Sequence, residues 1–119
     1  MKDFRTLQVW RKAHELTLAV YRASADFPAD ERFGLTDQVR RACGSIGANI
    51  AEGCGRQGNR DFARFLQVAM GSATEAEYHL LLSRDLGFVR KDEHASLAAR
   101  AAEVQRMLAS LIRTVRAAS

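Results

Sequence analysis

Proline occurs once in this chain of 119 residues, at position 28, and glycine eight times. An all-β fold needs more turns than these residues supply, so strands are not expected. No apolar run approaches the roughly 20 residues that span a bilayer, and no membrane segment is expected. Cysteine is confined to Cys43 and Cys54, too few for a disulfide framework. On a helix the two would lie about 16 Å apart, whereas a bridge needs Cα atoms within about 7 Å. Two free thiols in a reducing compartment are expected, and neither has a catalytic His partner nearby in sequence. The opening Met1-Lys2-Asp3-Phe4-Arg5 lacks the long apolar core of a signal peptide, so a cytoplasmic location is expected. Lysine is scarce too: Lys2, Lys12 and Lys91 are the only ones, so 15 of the 18 basic residues are Arg.

Hydrophobic residues make up 47% of the chain and charged residues 27%, which suits a globular protein and leaves little room for disorder. The length suits one domain, taken as residues 1–119. The formal net charge is +4 and the pI near 9.6. Arg forms bidentate contacts with phosphates and carboxylates alike. The excess therefore fits nucleic acid, or equally pairing with Glu and Asp on helix surfaces.

Helical periodicity runs along the whole chain. Val9, Ala13, Leu16 and Val20 predict a first helix over 6–24, broken before Pro28. Leu35, Val39, Ala42, Ile46 and Ile50 mark a second, capped by Thr36 or Asp37. Gly44 and Gly47 within it each cost about 1 kcal/mol relative to Ala, which implies a closely approaching neighbour or a kink. Phe62, Leu66, Ala69, Ala73, Ala76, Leu80 and Ser83 mark a third helix, with Asn59 as its N-cap and Gly87 as its left-handed end. Leu97, Ala101, Val104, Leu108, Leu111 and Val115 mark a fourth, capped by Asp92. Short loops make consecutive helices antiparallel, so the expected fold is an all-α, up-down-up-down four-helix bundle.

Few patterns carry chemistry. Gly53 to Gly58 spells G-x-G-x-x-G, but no strand precedes it, so a flexible connector is the better reading. A di-iron bundle needs Glu-x-x-His on two helices, and that spacing is missing. No Ser-His-Asp or Cys-His arrangement is suggested by spacing. No catalytic residue, metal or cofactor is assigned. Asn49, Glu52, Ser72 and Glu75 lie within or beside the apolar stripes, with Arg40 and Arg41 as available partners. A buried carboxylate needs such a partner. A structural network setting helix register is favoured over a catalytic site, without excluding it. Arg56, Arg60 and Arg64 form one basic cluster, and Arg106, Arg113 and Arg116 another. Either could meet phosphates, or simply be a solvated face. Little aromatic interleaving argues against a stacking platform for single strands.

The stretch Gly34-Leu35-Thr36-Asp37-Gln38-Val39-Arg40-Arg41-Ala42 continues into Ser45-Ile46-Gly47-Ala48-Asn49-Ile50-Ala51-Glu52-Gly53. Phe65-Leu66, Ala69, Gly71-Ser72 and Glu75 follow, while Val9-Trp10 and Phe27-Pro28 precede. In this order the motifs resemble the four-helix-bundle family of proteins encoded in 23S ribosomal RNA intervening sequences. Where that family has proline inside helix two, this chain has Gly47, which allows a kink without imposing one. The family is also similar to the accessory variability protein of diversity-generating retroelements, a homopentameric barrel that binds nucleic acid and a reverse transcriptase. The resemblance implies a non-enzymatic homo-oligomer, pentameric in the manner of that relative, whose partners are RNA or DNA. The alternative it implies is a scaffold docking a protein such as a reverse transcriptase. Independently, Trp10, Tyr21, Phe62, Phe65, Tyr78 and Phe88 exceed what one thin bundle seam hides, which points to a covered face.

Overall fold

In the computed structural model, which describes residues 2–119, the four apolar stripes meet along one axis. They lie on α1 (Gln8–Ser24), α2 (Leu35–Cys54), α3 (Asn59–Asp85) and α4 (Lys91–Ala117). Each helix packs on two neighbours, and the ring closes with α1 against α4. The result is the expected all-α bundle, about 45 Å long and 24 by 20 Å across. Among the described residues there is no strand, and no helix is long and apolar enough to cross a membrane.

The core follows the predicted stripes closely. Val9, Ala13, Leu16 and Val20 of α1 are buried, as are Leu35, Val39, Ala42, Ile46 and Ile50 of α2. On α4 the last turns depart from expectation: Ile112 is buried, while Leu111 packs only against the rim of the core. The four-residue step from Leu108 to Ile112 follows the 3.6-residue turn as well as a three-residue step does. The core makes room for small side chains on α3, where Ala63, Ala69, Ala73 and Ala76 are all buried.

The helix starts differ from the capping predictions by one to three residues. α2 begins at Leu35, so Thr36 and Asp37 already lie inside its first turn. The Leu35 amide instead donates to Glu31 Oε1 at 3.0 Å. A carboxylate from the preceding turn thus meets the positive end of the helix dipole. Gly58, not Asn59, precedes α3, and Arg90, not Asp92, precedes α4. Asp92 still serves the start of α4, accepting from the Glu93 amide at 2.9 Å and from Arg90 Nε at 3.2 Å. The Arg90 hydrogen bond, with that from Glu93, lowers its carboxyl pKa.

The end of α3 is as expected. Gly87 has φ of 80°, its amide donates to the Arg84 carbonyl, and the Phe88 amide donates to the Ser83 carbonyl. These two bonds make a Schellman motif and turn the chain toward α4.

The helix-two glycines divide. A Cβ at Gly47 would sit 3.3 Å from Trp10 Nε1, and one at Gly53 would sit 3.0 Å from both Phe62 and Phe65. Close approach explains both. Gly44 is otherwise: a Cβ there meets nothing within 4 Å, so no neighbour among the described residues requires it. α2 runs unbroken through all three positions.

Candidate nucleic-acid interface

The up-down topology gathers both chain termini and the α2–α3 loop at one end. The Lys2 amide donates to the Cys54 carbonyl, and Leu7 and Val9 share a groove with Met107 and Leu111. Segments 2–11, 52–67 and 106–119 therefore lie together. They carry nine Arg and Lys against three Asp and Glu, whereas the remainder carries nine against eleven. The charge excess of the chain is concentrated at this end.

The two predicted clusters partly merge there. Arg60 and Arg64 from the first turns of α3, and Arg116 from the last turn of α4, line one groove of about 610 Å³. Gln57, Asp61, Gln67 and Ser119 complete its polar wall. Arg64 Nε donates to Asp61 Oδ1 at 3.1 Å. The Gln67 amide, with its oxygen turned toward Arg116, accepts from that guanidinium at 3.0 and 3.3 Å. Neither contact quenches the site, because three guanidinium groups face a single side-chain carboxylate, Asp61. Arg56 sits on the neighbouring shoulder, paired with Glu52 at 3.1 Å and lying over the Phe65 ring. Arg106 and Arg113 are exposed on α4 but do not line the groove. A helix face rotates 100° per residue, so three Arg in one cluster need not share a rim.

The predicted polar network is not assembled. Glu52 and Glu75 keep 52% and 63% of their side chains exposed, so burial does not force them to seek a common partner. Each pairs locally, Glu52 with Arg56 and Glu75 with His79 at 3.6 Å. Arg41 pairs loosely with Asp37 at 3.8 Å. Arg40 reaches the other way, donating to Ser24 Oγ at 2.8 Å and the Tyr21 carbonyl at 3.1 Å. What remains is a small cluster at the α2–α3 seam: Asn49 Nδ2 donates to the Ser45 carbonyl and hydroxyl, and Ser45 Oγ lies 2.8 Å from Ser72 Oγ. Ser45 stands in the family motif, but it is not among the residues expected in the network, because a lone Ser in a helix carries no signal of its neighbour across a seam. Gln67, Lys2, Arg5 and Arg11 are not among the expected site residues, since only folding brings them to the basic end.

Cys43 and Cys54 are both free and buried. Burial pushes the Cys43 thiol up to about 12 and raises Cys54 as well. Neither is a thiolate near neutral pH. Among the described residues, no group of three or more His, Cys, Asp or Glu converges to hold a metal ion. His79 Nδ1 is buried without a hydrogen-bond partner.

Comparison with known proteins agrees with this architecture. A solved structure from Bacteroides thetaiotaomicron, a protein of unknown function from the S23 ribosomal protein family, superposes with a TM-score of 0.79. It is 28% identical, and the match covers 87% of this chain and 97% of that one. No curated protein matches. The family model for the 23S rRNA-intervening sequence protein matches residues 5–110, and the chain belongs to that family.

Proposed function

We propose that this protein binds nucleic acid, as structured RNA or DNA, through the phosphates, using the basic end of the bundle within a homo-oligomer. The observation that carries the reading is the groove where Arg60, Arg64 and Arg116 converge from two helices. Phosphate contacts of this kind position a ligand without reading its bases. Oligomerisation is supported by exposed Leu18, Tyr21, Val68, Tyr78, Leu81 and Leu86. Phe62 drops out of that set because it is 3% exposed, Trp10 and Phe88 are half-buried at the core rim, and Phe65 is half-buried. A ring of copies would present several grooves at once, so weak sites act together. A pentamer is the assembly the family resemblance suggests. The protein is proposed to be non-enzymatic.

The same exposed apolar side chains favour a second reading, a scaffold that docks a protein such as a reverse transcriptase. Binding of structured RNA across a salt series separates the two. Three Arg engaged on one chain give a slope of log affinity against log salt of about −2 to −3, multiplied by the number of chains that grip the same ligand. The double charge reversal R60E/R64E weakens binding while leaving the helical circular-dichroism signal intact. No binding by the wild type at low salt sinks the nucleic-acid reading and leaves the scaffold.

A further inference from the structure

The aromatic rings of the basic end are already occupied. Arg5 lies over Phe4 at 4.5 Å, and Lys2 over Phe62 at 5.5 Å. Arg56 and Arg64 both lie over Phe65, at 4.8 and 4.5 Å. Trp10 stacks in parallel on His14 at 4.9 Å and meets Phe4 edge-on. None of these rings is among the exposed large apolar side chains. The exposed aromatics Tyr21, Phe33 and Tyr78 lie elsewhere along the bundle.

We propose that these rings are platforms for cations, not for bases, and that the ligand they select is double-helical nucleic acid gripped by its phosphates. The proposal rests on the nucleic-acid reading above and names its ligand class. A single-strand binder stacks successive bases on open aromatic faces, and no Phe, Trp or Tyr ring at this end is exposed. A guanidinium stacked on a ring keeps the N–H donors around its edge turned outward; Arg56 gives one to Glu52 and Arg64 one to Asp61, and the others remain for a phosphate. A duplex keeps its bases inside and presents phosphates in regular rows, which suits a surface of ordered guanidinium groups.

Phe65 is the central positioning residue. Its Cβ packs where a side chain at position 53 would have to sit, so Gly53 lets it seat against α2. Its ring then orders one Arg from the loop and one from α3. Arg64, held over that ring, also lines the groove with Arg60 and Arg116.

The test compares a labelled RNA duplex with an unstructured single strand of the same length, for the wild type, F65L and F65Y. The duplex is expected to bind several-fold more tightly than the single strand. F65L keeps both Arg and an apolar side chain, and duplex binding is expected to weaken by about three- to tenfold. F65Y, which keeps the ring, is expected to retain wild-type affinity. A structural signature accompanies this: the Arg56 and Arg64 side-chain resonances are ring-current shifted in the wild type and lose that shift in F65L. Equal or tighter single-strand binding overturns the ligand class, and a folded F65L with wild-type affinity overturns the platform. If F65L does not fold, unshifted Arg56 and Arg64 resonances in the wild type overturn it instead. If the wild type binds neither RNA, the nucleic-acid reading fails and the ligand class with it. Immobilised heparin then decides the platform alone, which falls if F65L elutes at the wild-type salt concentration.

Discussion

Two glycines on one helix have opposite environments. At Gly53 an added Cβ lies 3.0 Å from Phe62 and Phe65, so G53A overpacks the α2–α3 seam. A loss of about 1–3 kcal/mol is expected in a chemical-denaturation curve. At Gly44 nothing lies within 4 Å, so G44A is expected to gain about 1 kcal/mol from helix propensity, raising Tm by roughly 4 °C. A lowered Tm for G44A would instead show that another molecule covers that face. Cys43 gives a pH prediction. Its thiol is raised from 9.0 to about 12 in the folded state, so between these values the unfolded chain has lost a proton that the folded chain keeps. Stability therefore falls as pH rises through that window, by about 1.4 kcal/mol per unit from this group alone. C43A is expected to show a shallower loss over the same range in urea titrations.

At the scale of elements, each helix was legible because one apolar stripe recurs at helical spacing, and the stripe is what the core selects. The ends were less legible. Asp and Thr near a helix start can cap it or sit in its first turn, and at α2 a carboxylate three residues before the cap supplied the acceptor. Gly87 was legible because only a left-handed residue closes the Schellman turn at its φ of 80°. G87A should therefore cost about 1 kcal/mol or more, seen as a lower denaturation midpoint with an unchanged slope. An unaltered midpoint would mean that the turn relaxes without the motif. The polar network was misread at this scale. Sequence places Glu52 and Glu75 beside apolar stripes, but the few tens of degrees that bring a carboxylate to solvent are set by how the helices pack.

For the whole molecule the deciding feature is the lengthwise division of charge. Nine basic residues against three acidic at one end give a field that a net charge of +4 understates. Charge reversal at the other end, R84E/R90E, is expected to leave the salt slope and RNA affinity nearly unchanged, although it alters net charge as much as R60E/R64E does. Equal losses from both pairs, in the same binding assay, would mean that total charge and not the groove attracts the ligand.

Residue patterning alone settled the helical class, the four elements, most of the core and the family, because periodic burial and ordered motifs are properties of the linear chain. It also marked Arg60, Arg64 and Arg116 as basic, but in two separate clusters. Their meeting in one groove, the exclusion of Arg106 and Arg113, the cations seated on the Phe65 ring and the break-up of the polar network were decided by the tertiary structure. The groove joins residues more than 50 positions apart, and the other relations depend on side-chain placement and helix rotation. Packing determines these, and residue spacing does not encode them.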